Sequence, residues 1–277
     1  MNPEPIEIES AAKAIRKAEA SRIGIDPLTA QYLNLTLGQA YAIQRTNLDQ
    51  RIALGERLVG RKVGLTSLAM QKQLGVDEPD YGAITDAMEI PSGDELDPAI
   101  LLKPRIEAEF AFEIGVDLPP DPSYDQLVAA VSGIAIAMEV IDSRVSDWRI
   151  GLLDTVADNA SMARVVWGEF VPATAERLAA LPDSVVTLTR GGEDVCAGPG
   201  SAVLGHPLIA LHWLAGAIGT HGDSFRAGDR VLAGAVAAAV EFIPGSTWAV
   251  HTTGLPTATL ISTPEPTTQA KTGGTTL

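Results

Sequence analysis

The chain has 277 residues, 46% of them hydrophobic and 20% charged, a composition typical of a folded protein with one large domain or two small ones. Its formal net charge of −15 repels phosphate backbones, so we expect no nucleic-acid partner. Cys196 is the only cysteine, which excludes an internal disulfide and suits a reducing cytoplasm. The N-terminus lacks the basic and apolar segments of a secretory signal. No uninterrupted apolar run reaches the ~18 residues of a membrane helix, so we expect no membrane association.

Helices are predicted at the start of the chain and at three later places. Residues 10–22 are rich in alanine, with Ser10 as the expected N-cap, and Thr36 and Gln39 have the spacing of a capping box that begins a second helix. The later predicted helices are 67–75, with Ser67 as the cap, a segment opened by Ser123 with Gln126 in the box position, and 206–222.

Strands are predicted mainly in the second part of the chain. Residues 58–67 favour a short strand that enters a turn, and 77–82 are typical of a turn. The other predicted strands are 105–114, 133–141 (strand or helix), 163–167, 185–190, 230–235 and 247–252. Because helices and strands do not alternate regularly, a mixed sheet or a rolled barrel is favoured over a doubly wound sheet. We expect an N-terminal helical region (1–60), a β-rich metal-binding catalytic body (61–262) and a disordered polar tail (263–277).

The segment RIEAEFAFEI, residues 105–114, has an apolar residue at every second position and carboxylates between them. In a strand, residues two apart face the same side, about 6.6–6.8 Å apart along it, so Glu107 and Glu109 can converge. Converging carboxylates repel each other unless one is protonated or a cation lies between them, and carboxylate oxygens suit Mg²⁺, Mn²⁺ or Ca²⁺. A row of acids on a solvated face is the alternative.

A further carboxylate, that of Glu139, stands alone in an apolar segment. Glu139 lies in GIAIAMEVID, where the seven preceding residues carry no charge. A buried lone carboxylate needs a cation, an arginine or a proton. Glu139 is therefore either a third metal ligand or the partner of Arg105 or Arg144, and three carboxylates leave open positions for water or substrate.

Other candidate motifs carry less chemistry. The four histidines lie at 206, 212, 221 and 251 without metal-site spacing and are interpreted as capping or surface residues. The Gly-rich segment near 191–205 lacks a dinucleotide fingerprint, and Ser161 is not in a nucleophile elbow. Lys62, at the end of a predicted strand, either faces solvent or belongs to a site.

Four segments follow one another along the chain: GRKVGLTSLAMQKQLGVDEPDYG, LLKPRIEAEFAFEI, AMEVIDSRVSDWRIGLLDTVADNAS and GSAVLGHPLIALHWLA. Together they resemble the 2-keto-4-pentenoate hydratase group of the fumarylacetoacetate hydrolase superfamily, over residues 10–260. The resemblance implies a mixed α/β (α+β) fold with a rolled, barrel-like β core and an N-terminal helical region. It also implies a cytoplasmic homo-oligomer, a pentamer or decamer, that can form a complex with a pathway enzyme.

The resemblance also implies roles for individual residues. The implied ligands of Mg²⁺ or Mn²⁺ are Glu107, Glu109 and Glu139. The implied catalytic residues are Lys62 and Asp80, and the implied substrate-binding residues are Lys62, Asp158 and Ser161. Glu113 has no implied role and is interpreted as a polar-face residue. The sequence departs from many relatives at Ala233 and Ala235, where a hydroxyl group is common, so a substrate contact there is in doubt.

The implied reaction is the addition of water to a 2-hydroxy-2,4-dienoate, an enol product of aromatic ring cleavage, to give a 4-hydroxy-2-oxo acid. The substrate chelates the cation, Lys62 moves protons with its pKa lowered by the cation, and Asp80 activates water.

Three alternatives stay open at this stage. The first is decarboxylation of a 2-oxo-3-enedioate, which uses the same metal site. The second is hydrolysis of a carbon–carbon bond in a fumarylpyruvate or acylpyruvate, against which stands the absence of any histidine before His206. The third is a non-enzymatic partner subunit, which the presence of Lys62 and the three glutamates disfavours.

Overall fold

The computed structural model describes residues 7–67, 71 and 78–265. The described helices of four or more residues are α1 (Ile8–Ser21), α2 (Leu28–Gln31), α3 (Leu37–Ala53), α4 (Tyr124–Ala130), α5 (Leu152–Ala157), α6 (Ala175–Ala180) and α7 (Pro207–Gly219). The described strands are β1 (Leu58–Gly64), β2 (Asp80–Thr85), β3 (Glu89–Ile90), β4 (Glu95–Leu96), β5 (Arg105–Ile114), β6 (Val131–Ile141), β7 (Met162–Trp167), β8 (Val171–Pro172), β9 (Val185–Arg190), β10 (Glu193–Pro199), β11 (Arg230–Ala235), β12 (Val240–Glu241), β13 (Thr247–Thr252) and β14 (Leu255–Ser262).

The N-terminal helices form a small core of their own against α5. Ile15 of α1, Leu28 of α2 and Ile43 of α3 are buried together with Val156. The predicted capping box of α3 is confirmed, since Gln39 N donates to the Thr36 hydroxyl and Thr36 N donates to the Gln39 side chain.

The cap predicted for the first helix is wrong by three residues. The N-cap is Glu7, and the Ser10 hydroxyl donates a hydrogen bond to the Glu7 carboxylate instead. The helix therefore starts one turn earlier than its alanine-rich segment indicates.

A curled nine-stranded sheet forms the body. Its main path is β2-β1-β11-β5-β6-β7-β3, with β12 on β5 and β8 on β6. A flat sheet would separate β2 from β7 by five strand spacings, about 24 Å. Their Cα atoms instead approach within 8 Å, so the sheet rolls up until its two ends meet. A second sheet, β10-β9-β13-β14-β4, packs on the outer face through the main hydrophobic core.

The two faces of β5 explain how the site is positioned. Ile106, Phe110 and Phe112 point into the main core, and the opposite face lies inside the roll. The antiparallel register places Glu107 directly opposite Glu139 on β6, and Glu109 opposite Ala137. The predicted strand over 105–114 is confirmed residue for residue, and 133–141 is a strand rather than a helix.

Several expectations need correction or stay outside the described residues. The segment predicted as a turn over 77–82 begins β2 at Asp80, because it pairs with β1. Most of the helix predicted over 67–75 and most of the tail expected over 263–277 lie outside the described residues. The division into domains stays a prediction.

One apolar segment departs from the expectation that no segment is long enough to span a membrane. Residues Gly200–Gly219, with a mean hydropathy of 1.4, are long and apolar enough to cross a membrane by length and composition alone. The helical part of this segment buries Leu211 and Leu214 in the main core, and a core helix passes the same test.

Candidate metal centre and active site

Three carboxylates converge inside the roll. Oxygen atoms of Glu107, Glu109 and Glu139 lie within 4.8 Å of one another. Two features of the sheet bring them together: Glu107 and Glu109 share one face of β5, and Glu139 is the cross-strand partner of Glu107. The row of acids is therefore not an ordinary solvated face.

The surroundings of these carboxylates favour a divalent cation. Glu139 is fully buried, and neither of its carboxylate oxygens has a hydrogen-bond partner among the described residues. Burial and repulsion from Glu139 raise the pKa of Glu107 to about 8, and the same causes hold the pKa of Glu109 well above its usual range. One oxygen of Glu109 accepts a hydrogen bond of 2.8 Å from the Gly234 amide. Buried oxygens without hydrogen-bond donors are the donor set of a hard cation such as Mg²⁺ or Mn²⁺.

The cationic neighbour of Glu139 is Lys62, and neither arginine considered in the sequence has that place. Lys62 Nζ lies 3.3 Å from Glu139 Oε1. Arg144 is engaged by Asp158 and by backbone carbonyls, and Arg105 lies over the ring of Trp148. The ion pairs considered for Glu139 with Arg105 or Arg144 are therefore wrong.

Lys62 is buried, with 4% of its surface exposed, so the solvent-facing interpretation is also wrong. It is held by strand pairing on both sides, opposite Gly82 of β2 and Leu232 of β11. Burial lowers the pKa of Lys62, but the charges of Glu139 and Asp80, with those of the other two glutamates, outweigh burial and raise it. The lowered pKa expected for Lys62 would therefore require a bound cation.

Asp80 approaches the same cluster from β2. It pairs with Gly64, where an added Cβ would lie 2.2 Å from Asp80 Oδ1 and 3.3 Å from Lys62 Nζ. Glycine is required there because a side chain would displace the carboxylate. Asp80 is 2% exposed, its Oδ1 has no hydrogen-bond partner among the described residues, and burial raises its pKa to about 6 although Lys62 opposes the rise.

Asp158 and Ser161 flank the turn between α5 and β7. Asp158 is engaged by the guanidinium and amide of Arg144, and its pKa is raised by burial to about 6. Ser161 is buried, and its hydroxyl lies 3.3 Å from the Thr155 hydroxyl. Among the described residues, neither side chain contacts the glutamates, so the roles of Asp158 and Ser161 in substrate binding stay predictions.

Asn159 of the same turn holds the edge of the sheet and is a residue that the sequence did not indicate. Its Oδ1 accepts a hydrogen bond of 2.8 Å from Ala83 N, and its Nδ2 donates one of 2.9 Å to Ala83 O. The Asn159 side chain thus makes the two backbone hydrogen bonds to Ala83 that a neighbouring strand would make. Ala83 lies in β2, three residues after Asp80. Gln44 of α3 adds a bond of 2.9 Å to Tyr81 O. No local pattern could have revealed either contact, because both join distant parts of the chain.

Of the remaining sequence candidates, Ala235 lies opposite Glu109 on β5, and the others lie outside the cluster. Ala233 is buried in the main core, on the opposite side of β11 from Gly234, so the missing hydroxyl there removes no contact with the glutamates. Glu113 lies opposite Gly133 on β6 and takes no part in the cluster. His206 caps α7 by accepting from Leu208 N, as the capping interpretation predicts.

No protein-family model matches the chain. Known proteins do match it over most of its length. It is 41% identical over 252 residues to the 2-keto-4-pentenoate hydratase of Paraburkholderia xenovorans strain LB400, covering 91% of this chain and 93% of that protein. The chain belongs to the 2-keto-4-pentenoate hydratase family. It is also 36% identical over 258 residues to the 2-hydroxyhexa-2,4-dienoate hydratase of Comamonas testosteroni, covering 91% and 96% of the two chains.

A solved structure confirms the expected fold of this hydratase family member. The 4-oxalocrotonate decarboxylase from Pseudomonas putida G7, complexed with magnesium and adipate, superposes with a TM-score of 0.87 at 32% identity. The match covers 92% of this chain and 97% of that one. The rolled β body with N-terminal helices is therefore the fold of the fumarylacetoacetate hydrolase superfamily.

Proposed function

We propose that this protein adds water to a 2-hydroxy-2,4-dienoate of the 2-oxopent-4-enoate type, giving a 4-hydroxy-2-oxo acid in the breakdown of aromatic compounds. The observation that carries the proposal is the buried pair of Lys62 and Asp80 beside three converging glutamates. The hydratase relatives, at 41% and 36% identity over nine tenths of the chain, support it.

Glu107, Glu109 and Glu139 would hold Mg²⁺ or Mn²⁺. When bound there, the cation supplies Lewis acidity that stabilises negative charge on the 2-oxygen of the substrate. The residues fit such an ion because the buried oxygens of Glu139 lack hydrogen bonds among the described residues. The three side chains come from two paired strands, so their positions are set by the sheet.

Lys62 and Asp80 would move the protons. Lys62 Nζ is charged in this anionic surrounding and can protonate the far end of the diene. Asp80, with a pKa of about 6, is mostly ionised at neutral pH, and its unpartnered Oδ1 can accept a proton from the attacking water. Protonation of C5 by Lys62, which would recover the proton of the 2-hydroxyl group, gives a 2-oxo-3-enoate. The hydroxyl of the water would then add at C4, and the proton taken up by Asp80 would pass to C3, so the net change is the addition of one water.

Decarboxylation of a 2-oxo-3-enedioate is the second candidate. The observation that favours it is the TM-score of 0.87 to a 4-oxalocrotonate decarboxylase. That reaction would use the same glutamates, since the same negative charge develops on the 2-oxygen. Hydrolysis of a carbon–carbon bond is less supported, because no histidine precedes His206 in the sequence and His206 itself caps α7.

A spectroscopic assay separates the two candidates. Freshly generated 2-hydroxypenta-2,4-dienoate is followed by ultraviolet absorbance with EDTA and after Mg²⁺ is restored, and the product is identified by NMR. Metal-dependent loss of the diene with formation of a 4-hydroxy-2-oxo acid is the expected result. If the dienoate is stable and 2-oxohex-3-enedioate releases CO₂ instead, the hydratase proposal is wrong. The Glu139→Gln variant, of nearly equal volume, is the control for the metal site.

The assembly and location belong to the same proposal. We expect a cytoplasmic homo-oligomer, a pentamer or decamer, that can associate with a pathway enzyme. Light scattering coupled to size-exclusion chromatography measures the subunit number directly, and a monomer at micromolar concentration would contradict this part.

A further inference from the structure

Arg105 is an exposed residue on the same face of β5 as the metal-site glutamates. It is the first residue of β5, two positions before Glu107 and four before Glu109. Lys62 is level with Ala111 through Leu232 of β11, which places it toward the other end. Exposure increases along this face from Glu109, which is buried, through Glu107 to Arg105, which is exposed and lies about 6.6–6.8 Å along the strand from Glu107.

The guanidinium of Arg105 is held in place by an aromatic ring. Its Cζ lies 4.6 Å from the ring centroid of Trp148, and Trp148 Nε1 donates a hydrogen bond of 2.9 Å to Lys103 O. Asp147 and Trp148 both have left-handed backbone, with φ of 58° and 57°. Two consecutive non-glycine residues in that region cost conformational energy, and such strain clusters at ligand-binding segments.

Arg105 makes no close ion pair with any described residue, although Glu241 of β12 is its cross-strand partner. Among the described residues, no carboxylate oxygen lies within 4.0 Å of Arg105, and its guanidinium makes no hydrogen bond. The neighbouring cations differ, since Lys103 pairs with Asp147 at 3.1 Å and Arg149 pairs with Asp26 at 2.7 Å. The donors of Arg105 are therefore available to an anion, and the flat guanidinium matches the geometry of a carboxylate.

The charge of the site explains why such a cation is needed. Three glutamates and Asp80, set against Lys62 and a divalent ion, leave one negative charge, in a protein whose net charge is −15. A 2-oxo acid is itself an anion, so it would be repelled from both the surface and the site. A positive group at the entrance offsets this repulsion and raises the local concentration of substrate.

We infer that Arg105 is the substrate-binding residue that recruits the carboxylate of the 2-oxo acid at the entrance of the site. The identity of that acid rests on the proposed function. The role of Arg105 is to bind and not to transfer protons, so its loss affects affinity and leaves the chemical step intact.

The test compares the Mg²⁺-saturated wild-type enzyme with Arg105→Gln, Arg105→Lys and Lys103→Gln. The last variant removes one positive charge from the same exposed region but from a lysine that is already paired. We expect Arg105→Gln to raise KM for 2-hydroxypenta-2,4-dienoate about tenfold, the effect of losing one charge-assisted contact, with kcat within about twofold. Arg105→Lys keeps the charge and should give an intermediate KM, and Lys103→Gln should resemble the wild type.

Equilibrium binding gives a readout that does not depend on turnover. The probe is 2-oxopentanoate, a saturated 2-oxo acid that cannot be hydrated, titrated by calorimetry into each Mg²⁺-loaded protein. Its Kd should rise about tenfold in Arg105→Gln, and the difference from wild type should shrink at high ionic strength. Equal Kd and KM values in Arg105→Gln and Lys103→Gln would overturn the inference, as would a fall in kcat at unchanged KM.

The two proposals fail separately. If the wild type does not hydrate the dienoate, the proposed function is wrong, and the Kd of 2-oxopentanoate still decides the role of Arg105. If the wild type is a hydratase and Arg105→Gln binds and reacts like it, only the inference about Arg105 is wrong.

Discussion

Removing the divalent cation should make the stability of this protein fall as the pH rises. Without a cation, Glu107 has a folded-state pKa of about 8 against an ordinary value of 4.5, because of burial and the charge of Glu139. A raised pKa means that the folded state holds the proton more tightly than the unfolded state. The stabilisation is complete below pH 4.5 and is lost as the pH rises to about 8.

The size of the effect can be bounded. A rise from 4.5 to about 8 corresponds to at most about 5 kcal/mol, at ~1.4 kcal/mol per pKa unit. Glu107 keeps part of its surface exposed, and it shares its protons with Glu109 and Glu139, so water and coupling reduce this figure. We expect about 2 kcal/mol between pH 5.5 and 8.5, or roughly 5 °C in Tm for a chain of this length.

Thermal melting in EDTA across this pH range measures the effect, with Mg²⁺ added back in a parallel series. The matched control is Glu107→Gln, which keeps the shape and removes the charge. We expect the EDTA-treated wild type to lose Tm toward pH 8.5 more steeply than the variant, and Mg²⁺ to restore the wild type most at high pH. Equal slopes in wild type and variant, or a Mg²⁺ effect that is the same at both ends of the range, would refute the reasoning.

Four substitutions test the rest of the site. Lys62→Met and Asp80→Asn should each lower kcat about a hundredfold or more, with Mg²⁺ affinity by calorimetry little changed, and wild-type turnover in either would remove that residue from the mechanism. Gly64→Ala places a Cβ 2.2 Å from Asp80 Oδ1, so kcat should fall about a hundredfold while circular dichroism shows an intact fold. A normal kcat would show that catalysis does not depend on the position of the Asp80 carboxylate beside Gly64. Asn159→Ala removes two hydrogen bonds to Ala83, so the Tm should fall by roughly 5 °C, which corresponds to about 2 kcal/mol. An unchanged Tm would show that the Asn159 side chain does not stabilise the edge of the sheet.

Strands with a strong alternating pattern could be predicted from the sequence, and strands defined by their neighbours could not. The strand over 105–114 was predictable because its inner and outer faces differ at every position. The strand that begins at Asp80 carries the residues of a turn, and it is extended only because β1 and the Asn159 side chain pair with it. Two-residue strands such as β3 and β12 are too short to show a period.

The same distinction holds within the site. Glu107, Glu109 and Glu139 could be singled out because carboxylates in apolar strands demand an explanation. That Glu107 faces Glu139 depends on the register of β5 against β6, which no single strand encodes. The cationic partner of Glu139 could not be predicted for the same reason. Arg144 is near Glu139 in sequence, but the curl of the sheet brings Lys62 of β1 to Glu139 although β11 and β5 lie between β1 and β6.

Glycines in β1 and β11 allow polar side chains to pack closely inside the curled sheet. At Gly64 an added Cβ would meet Asp80, and at Gly234, whose φ is 110°, it would lie 2.3 Å from the Thr66 hydroxyl. The amide of Gly234 is also the backbone donor to Glu109. Strands β1 and β11 thus lack side chains at two positions where the Asp80 carboxylate and the Thr66 side chain already occupy the interior of the sheet. For a substrate that enters past Arg105, the glutamates proposed to hold the cation lie on β5 and β6. Lys62 and Asp80, proposed to donate and to accept protons, lie on β1 and β2, and strand pairing positions all five side chains.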